Sequence, residues 1–473
     1  MKKIFFFLIF ILLTVLLFNN YYRTISLKKY INNFLSYYKE KEDIDVFFLG
    51  TSRIYYSISP MEIWNNYGIV TYDRGNSRQY YRHTYNLIKE IFRNHKPKLI
   101  VCDIAVFIQE ERKQFVNILL PNLKNNIYKL EYYNDYFQDD EIYENLNVFN
   151  LFHTRWKELN EYDFVTYDYW KGRYSGSYYS KYGYDRIHSV RSQLQNIDLK
   201  PDKLTFDNDT KYYIKKIVDL VHMHNSNITF INLPYVVDNY NYSYMLEFDN
   251  IVEKNNYIYI DYNKLYNEIG FDFKTDMKDW SHLNLYGSRK VMDHLIPYII
   301  ENYDIPVRKG DPKYKKWDED YIKYARVINR EEIRELPDFN RWKIQAFYDN
   351  YTVMISSNNN VMNKLPQDIK SFLKSKGLTK YETNKANMRY VAIIDDNKVF
   401  FEEISEKPVE YKGRMKRKVN LLVKSDGNSI INVSGKPRSK NKYGLNMVVY
   451  DKVNKEVVDS IWIDPNKPNE IRR

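Results

Sequence analysis

Two short segments, far apart in the chain, hold the residue types of a serine nucleophile. Ser52 follows an apolar run and the pair Gly50-Thr51. Asp279 stands three residues before His282, just ahead of a segment with helical spacing. A serine hydrolase needs a hydroxyl nucleophile, an imidazole that takes its proton and a carboxylate that orients the imidazole. The pattern therefore predicts a triad of Ser52, His282 and Asp279.

Each half of this pattern also has a simpler interpretation. A Ser after a strand often caps the helix that follows it, and a single His is usually structural. A carboxylate at the i−3 position, however, can reach the ring nitrogen that faces away from the serine. His222 and His224 are separated by one residue, which puts them on different faces of a predicted helix. We therefore predict no zinc site. We also expect no cofactor.

The two segments belong to a region, 45–303, in which strand and helix patterns alternate. The predicted strands are 45–49, 68–72, 98–104, 228–233 and 257–262, and the predicted helices are 60–64, 80–95, 208–224, 242–254 and 285–301. This alternation is typical of parallel strands covered on both faces, which predicts a small doubly wound α/β sheet. Ligands bind beyond the carboxyl ends of such strands, where we expect Ser52 and 279–282 to lie.

The N-terminus has the pattern of a membrane segment. Residues 4–18 are apolar, and no charge follows before Arg23, which leaves 19 uncharged residues. About 20 are needed to span a bilayer, and no small-residue cleavage signature follows. We predict that 1–22 is an uncleaved transmembrane signal anchor at the cell membrane, with a cleaved signal peptide as the alternative. The positive-inside rule then puts the bulk of the chain outside the cell.

The remaining segments differ in composition. Residues 23–44 are predicted to be a connector, 105–203 a Tyr-rich insertion, 304–341 a charged linker with one helix, and 342–473 a β-rich domain. Within the insertion, 167–179 interleaves aromatic and polar residues. Such a segment could stack against sugar rings, or it could form a lid packed by its own tyrosines. Both interpretations remain open from the sequence.

The quoted motifs resemble those of the SGNH/GDSL hydrolase superfamily, especially membrane-anchored members such as the D-alanyl transfer protein of teichoic acids and polysaccharide O-acetyltransferases. The resemblance covers about 45–303 and rests on the segments 48–53 and 279–284, with Gly287 close behind. It implies that Ser52 is the nucleophile, His282 the base and Asp279 its orienting carboxylate.

The resemblance also implies where the oxyanion hole should be. The family's second block contributes a Gly amide, and Gly75, after the second predicted strand, occupies that place. The third block normally supplies an Asn. This chain has Cys102-Asp103-Ile104-Ala105-Val106 after its third predicted strand, so the expected Asn donor is missing.

The C-terminal region resembles the interleukin-like EMT inducer domain, which also occurs in the stem of a protein O-mannose N-acetylglucosaminyltransferase. Strands are predicted at 352–356, 389–394, 419–423, 429–433 and 445–450, with one helix at 367–376. The resemblance implies a β-sandwich-like module that binds carbohydrate or protein. A purely structural appendage is an equally open interpretation.

The charge and composition of the chain indicate which kinds of partner it binds. The 473 residues carry a net charge of +11, which favours acidic partners, and the single cysteine excludes an internal disulfide. With an outward topology and no concentrated basic stripe, we expect no nucleic-acid partner. The sequence thus favours a cell-surface acyltransferase or esterase that transfers or removes O-acetyl groups on an extracellular polysaccharide or wall polymer. A membrane partner would deliver the acyl group. The alternative is a non-catalytic glycan-binding or assembly protein with a degenerate SGNH fold.

Overall fold

The computed structural model describes residues 2–25, 37–38, 40–109, 123, 127–136, 154–159, 201, 204–336, 338–347, 351–358, 361–381, 387–415, 419–453, 455–468 and 470–473. The chain divides into two compact units, Met1–Ile322 and Lys323–Arg473. The first unit is mixed α/β, and the second consists mainly of antiparallel strands. The predicted domain limits at 303 and 342 stay predictions.

The first unit is built on a five-stranded parallel sheet with the order β2-β1-β3-β4-β5. The strands are β1 Val46–Leu49, β2 Thr71–Asp73, β3 Leu99–Asp103, β4 Asn227–Asn232 and β5 Tyr259–Asp261. Every residue of β1 and β3 is buried, as expected of parallel strands covered on both faces. Cys102 lies on β3 and is fully buried. The predicted parallel sheet is therefore confirmed.

The first unit also contains helices, several of which connect successive strands. They are α1 Lys2–Ile25, α2 Ser52–Ser57, α3 Pro60–Tyr67, α4 Tyr81–Asn94, α5 Ala105–Ile108, α6 Ile127–Tyr136, α7 Asn208–Met223, α8 Asn239–Asn255, α9 Tyr262–Leu265 and α10 Leu285–Asn302. On α7, the apolar residues spaced for one face are the buried ones, among them Ile214, Ile217 and Val221. This spacing explains why the sequence predicted α7 to within one residue.

The N-terminal helix α1 carries apolar side chains that are exposed throughout residues 4–18. No helix in the described part of the chain has both the length and the apolar character that crossing a membrane requires.

Two predicted segments fall largely outside the described residues. Of the insertion 105–203, the structure describes only 105–109, 123, 127–136, 154–159 and 201, so the aromatic stretch 167–179 is not among them. Of the connector 23–44, it describes 23–25, 37–38 and 40–44.

The segment after α10 starts as part of the first unit. A 3-10 turn, Pro312–Tyr314, leads into α11, Lys315–Glu335. Tyr314 and Trp317 are buried, and the ring of Trp317 lies 5.6 Å from that of Trp64 on α3. Trp64 Nε1 also donates a hydrogen bond to Asp318 at 3.0 Å. The predicted linker is therefore helical and packed, at its start, against the α/β unit.

The second unit contains two antiparallel sheets, with the orders β15-β14-β13-β6-β7-β8 and β12-β11-β10-β9. Its strands are β6 Tyr351–Ser357, β7 Arg389–Asp395, β8 Lys398–Ser405, β9 Val409–Met415, β10 Val419–Ser425, β11 Ser429–Val433, β12 Lys436–Pro437, β13 Leu445–Asp451, β14 Glu456–Ile463 and β15 Ile471–Arg472. Val423 and Ile431 of the smaller sheet share a core with Met354, Val391 and Val448 of the larger one.

Three further helices accompany these sheets, α12 Phe339–Ala346, α13 Val361–Lys364 and α14 Gln367–Ser375. Trp342 of α12 and Leu373 of α14 share a second core with Val353 and Ala392 of the larger sheet. The sequence predicted five of the strands, β6, β7, β10, β11 and β13, together with α14, and it missed β8, β9, β12, β14 and β15.

Candidate active site

Ser52 lies at the carboxyl end of the central strand β1. Gly50 and Thr51 form the turn after the strand, and α2 begins at Ser52. Thr51 caps this helix, since its hydroxyl accepts a hydrogen bond from the amide of Arg53. A Cβ atom on Gly50 would lie 2.4 Å from Ile54 Cγ1 and 2.8 Å from Asp103 Cβ. Only glycine fits this close approach, which explains why the residue two positions before Ser52 has no side chain.

His282 lies in the loop between β5 and α10, and this loop is closed by local hydrogen bonds. Met277 and Leu283 form an antiparallel bridge. Asn284 caps α10 by accepting hydrogen bonds from the amides of Tyr286 and Gly287, and its Nδ2 donates to the carbonyl of Met277. The cap and the bridge together fix the loop that presents His282.

The structure brings the three predicted triad residues together. Ser52 Oγ lies 2.7 Å from His282 Nε2, although the two residues are 230 positions apart. His282 Nδ1 lies 2.8 Å from each carboxylate oxygen of Asp279. With Nδ1 donating its hydrogen to the carboxylate, Nε2 is left as the acceptor for the serine proton. The arrangement has the connectivity of a Ser-His-Asp triad.

The carboxylate of Asp279 is held in its ionised form. Burial acts to raise its pKa, but the hydrogen bond and charge of His282 outweigh burial, together with hydrogen bonds from the amides of Ser281 and His282. The result is a pKa of about 2. Asp279 is therefore a carboxylate at neutral pH, able to orient the imidazole and to stabilise it once it is protonated.

One face of the His282 ring is covered by Tyr56. The two ring centroids are 4.4 Å apart. Lys278 Nζ donates to the Tyr56 hydroxyl at 2.9 Å, and the backbone amide of Lys278 donates to the carbonyl of His282 at 2.7 Å. Neither Tyr56 nor Lys278 was predicted from the sequence. The available signal was spacing, because Tyr56 is four residues after Ser52 and so shares its face of α2.

Arg53, the residue after Ser52, anchors the start of α2 to the neighbouring strands. Its guanidinium donates to Asn232 Oδ1 at 2.8 Å and to the carbonyl of Leu233 at 2.6 Å. It also lies 3.5 Å from Asp103 Oδ2 and 4.2 Å from the ring centroid of Tyr235. Asp103 occupies the region where the family resemblance led us to expect an Asn donor. Its side chain is fully buried against Arg53, so it has a positioning contact instead.

Gly75 lies next to the turn that carries Ser52, but its amide already has a partner. The amide of Asn76 donates to the carbonyl of Gly50 at 3.0 Å, which extends the pairing of β2 with β1 beyond the strand ends. The amide of Gly75 donates to Asp73 Oδ1 at 2.5 Å. An oxyanion could accept a hydrogen bond from this N–H only if the hydrogen bond to Asp73 broke. The predicted oxyanion role of Gly75 stays a prediction.

A cavity of about 560 Å³ opens onto Ser52 and His282. Its walls include Ser77, Arg78, Ile108, Gln109, Tyr240 and Asn241. This volume is within the range of small-molecule sites. The lining is mixed, with hydroxyl and amide groups, one cation and apolar surface, so it suits a polar acyl donor or acceptor better than a purely apolar one. These wall residues could not be recognised from sequence patterns, because they come from three segments that are far apart in the chain.

The other histidines do not join this site or form a metal centre in the described part of the chain. His222 lies in the last turn of α7, and His224, the residue that caps that helix, stacks on Phe92. Among the described residues, no group of three or more His, Cys, Asp and Glu side chains is placed to hold a metal ion. His153 and His188 lie outside the described residues.

No protein-family model matches this chain, and no curated protein matches it. One similar solved structure is that of a presumed acylhydrolase from Bacteroides fragilis NCTC 9343, with 12% sequence identity and a TM-score of 0.28. The match covers 59% of this chain and 97% of that chain. At this level of similarity, the functional argument depends on the geometry of the site itself.

Proposed function

We propose that this chain is a serine-dependent acyltransferase or esterase that acts on O-acyl groups, acetyl above all, of an extracellular polysaccharide or wall polymer. The observation that carries the proposal is the continuous hydrogen-bonded path from Ser52 Oγ through both ring nitrogens of His282 to Asp279. Three chemically matched groups at these distances are rarely assembled by packing alone. The adjoining cavity gives the reaction a place for the acyl group.

In this proposal, Ser52 Oγ attacks the acyl carbonyl carbon while His282 Nε2 takes the hydroxyl proton. The charged imidazolium is stabilised by the Asp279 carboxylate. Collapse of the tetrahedral intermediate breaks the bond to the leaving group, which receives the proton from His282, and leaves an acyl ester on Ser52. An acceptor hydroxyl then attacks that ester, with its proton passing through His282 in the same way. Water as acceptor gives an esterase, and a sugar hydroxyl gives a transferase.

The choice of an extracellular polymer follows from the N-terminus. The apolar residues 4–18 are exposed along α1 and follow two lysines. A signal anchor at 1–22 would leave the site on the outer side of the membrane, within reach of surface glycans. A membrane partner would then deliver the acyl donor.

A fluorophosphonate probe tests the nucleophile directly, because it labels a serine only when a base activates it. We expect the full chain to label and the Ser52→Ala and His282→Gln variants not to label. Ser77→Ala is the matched control, because Ser77 lines the same cavity without belonging to the triad. Acetyl content of the surface polymer should fall in cells that carry Ser52→Ala. Normal acetylation with normal expression of that variant would contradict the proposed function.

The alternative, a glycan-binding or assembly protein with a degenerate site, is favoured by one observation. The amide of Gly75 is hydrogen-bonded to Asp73, so a preformed oxyanion hole is not evident at that position. This alternative predicts that the wild-type chain stays unlabelled by the probe while it still binds polymer. Labelling at Ser52 would exclude it.

A further inference from the structure

The cavity that opens onto Ser52 and His282 has a wall whose charge is of one sign. Of the described residues that line it, Arg78 carries a positive charge and none is acidic. The other walls are hydroxyl, phenol, amide and apolar groups, namely Ser77, Ile108, Gln109, Tyr240, Asn241 and Ser281. A carboxylate or phosphate that entered the cavity would therefore meet a cation and no carboxylate of the lining.

Two carboxylates bond to cavity residues without lining the cavity themselves. Asp279 accepts from Nδ1 of His282, the ring nitrogen opposite the one that faces Ser52. Asp238 caps α8, and its Oδ1 accepts from the amide of Asn241 at 2.8 Å and from Nδ2 of the same residue at 2.7 Å. Each of these acids thus has hydrogen-bond donors within its own segment.

Arg78 lies in a tight turn that is tied to the turn carrying Ser52. The amide of Gln79 donates to the carbonyl of Asn76 at 3.1 Å, which closes a turn with Arg78 as its third residue. The amide of Asn76 donates to the carbonyl of Gly50 at 3.0 Å, and Gly50 is two positions before Ser52. One hydrogen-bonded frame therefore holds the backbone of the cation and that of the nucleophile.

The backbone of Arg78 adopts a conformation that is unfavourable for most residues with a side chain. Its φ is 51°, in the left-handed region that glycine adopts freely and that asparagine tolerates. Glycine or asparagine at this position would relieve the strain, but the sequence has a long cation. Residues strained in this way cluster at active sites and ligand clamps. The strain therefore indicates that the side chain of Arg78 has a role in the cavity.

We propose that Arg78 determines substrate specificity by binding an anionic group, a carboxylate or a phosphate, that the substrate carries beside its acyl ester. A guanidinium suits both anions, because its planar fork donates two parallel hydrogen bonds to two oxygens. The proposal rests on the proposed function and specifies one property of its substrate, a negative charge. Because the anion is separate from the reacting carbonyl, the contact is equal in the ground and transition states and lowers KM more than it raises kcat.

Binding to the full chain with Ser52→Ala measures the preference for an anion without catalysis. The ligands are para-acetoxybenzoate, para-acetoxyphenyl phosphate and the neutral methyl para-acetoxybenzoate, titrated by isothermal calorimetry at matched ionic strength. We expect at least one of the two anions to bind roughly fivefold more tightly than the neutral ester, the strength of an exposed ion pair. The preference should shrink as salt is added. The anion that binds more tightly identifies the group that the substrate carries.

The Arg78→Asn variant, made in the same Ser52→Ala chain, tests the guanidinium. Asparagine tolerates the positive φ of this position, so the charge is removed while the turn is kept. We expect the anions to bind this variant within about twofold of the neutral ester. The Arg78→Lys variant keeps the charge without the planar fork, so it should retain more of the preference than Arg78→Asn does.

The matched control is Lys254→Asn, which removes one exposed positive charge from the last turn of α8. The first turn of this helix supplies Tyr240 and Asn241 to the cavity wall. With a rise of about 1.5 Å per residue, Lys254 lies about 20 Å along the helix from that wall. The preference for the anion should be unchanged in this control. An equal loss would reduce the effect to net charge and overturn the proposal.

The chain with Ser52 intact separates this inference from the proposed function. If the chain hydrolyses these esters, the KM for the anion should rise in Arg78→Asn by about the same factor as the Kd, with a smaller change in kcat. A chain without ester hydrolysis or fluorophosphonate labelling would contradict the proposed function, and the calorimetry would still decide on Arg78. Equal binding of all three ligands, an absence of binding to both anions, or a preference that survives Arg78→Asn would overturn the inference.

Discussion

Arg53 and Asp103 form a buried ion pair that connects the residue after Ser52 to the end of β3. Their side chains are 7% and 0% exposed, and Arg53 Nε lies 3.5 Å from Asp103 Oδ2. Because the same guanidinium also bonds to Asn232, it links the first turn of α2 to two neighbouring strands. The position of the Ser52 hydroxyl relative to His282 therefore depends on a charge network that does not touch the cavity.

The Arg53→Lys variant tests this positioning role. Lysine keeps the charge near Asp103 but loses the planar fork that bonds to Asn232 and stacks on Tyr235. We expect the kcat on a model acetyl ester to fall by roughly 10- to 100-fold with little change in KM, since misplacement of a reacting group affects the chemical step. Steady-state kinetics on the purified chain measures both parameters.

The Arg53→Met variant separates positioning from simple stability. It leaves Asp103 buried without its cation and should destabilise the first unit by about 3–5 kcal/mol, less if the carboxyl takes up a proton. Burial already raises the pKa of Asp103 despite the neighbouring Arg53. If Arg53→Lys keeps the wild-type kcat while Arg53→Met only unfolds more easily, Arg53 has a structural role alone.

The Asp279→Asn variant tests the orientation of the imidazole. The Nδ1 hydrogen of His282 now faces two carboxylate oxygens, and the asparagine amide offers only one oxygen as an acceptor. The neutral amide also cannot stabilise a charged ring. We expect kcat to fall by about 10²–10⁴-fold, with Ser52 still present and the fold intact. Asp304→Asn is the control, because the side chain of Asp304 is 99% exposed and lies outside the site. Equal activity of the two variants would rule out a role for Asp279.

The Asp73→Asn variant tests whether Gly75 can serve an oxyanion. The substitution removes the negative charge beside the Gly75 amide and weakens the bond that now occupies it. If that N–H stabilises the oxyanion, we expect an increase in kcat of about fivefold, the difference between a charged and a neutral hydrogen bond. A decrease would indicate that Asp73 instead holds the loop in place and that the donor lies elsewhere. Circular dichroism distinguishes that result from unfolding.

His83 should make the first unit sensitive to mild acid. Burial lowers its pKa from 6.5 to about 3, so the folded chain keeps this ring neutral while the unfolded chain takes up a proton below about pH 6.5. The contribution of the neutral ring to the free energy of unfolding is therefore present above pH 6.5 and is lost as the pH falls towards 3. Between pH 6.5 and 5.5 the loss from this group is roughly 1 kcal/mol.

Urea unfolding of the first unit at several pH values measures this loss. The His83→Asn variant keeps an acceptor for the amide of Tyr80, which now bonds to His83 Nδ1, and should lessen the decline between pH 6.5 and 5.5. The His222→Asn control changes an exposed ring and should leave the decline as it is. An identical pH dependence of the His83 variant and the wild type would show that this ring is not responsible.

The parallel sheet could be predicted because its strands are continuous apolar runs separated by helical patterns. The meeting of Ser52 with 279–282 could be predicted because both follow strands whose carboxyl ends share one edge. The pairing of Arg53 with Asp103 could not, since no local pattern links charges on α2 and β3.

The burial of Cys102 has a practical consequence for experiments on this chain. Its thiol is enclosed in β3, and burial raises its pKa well above the usual value, so alkylating reagents should leave it unmodified in the folded protein. The wild-type sequence thus already serves as an almost cysteine-free background. A cysteine introduced at Arg78 or at Lys412 would be the one reactive thiol, ready to carry a fluorophore or spin label without any removal of native cysteines.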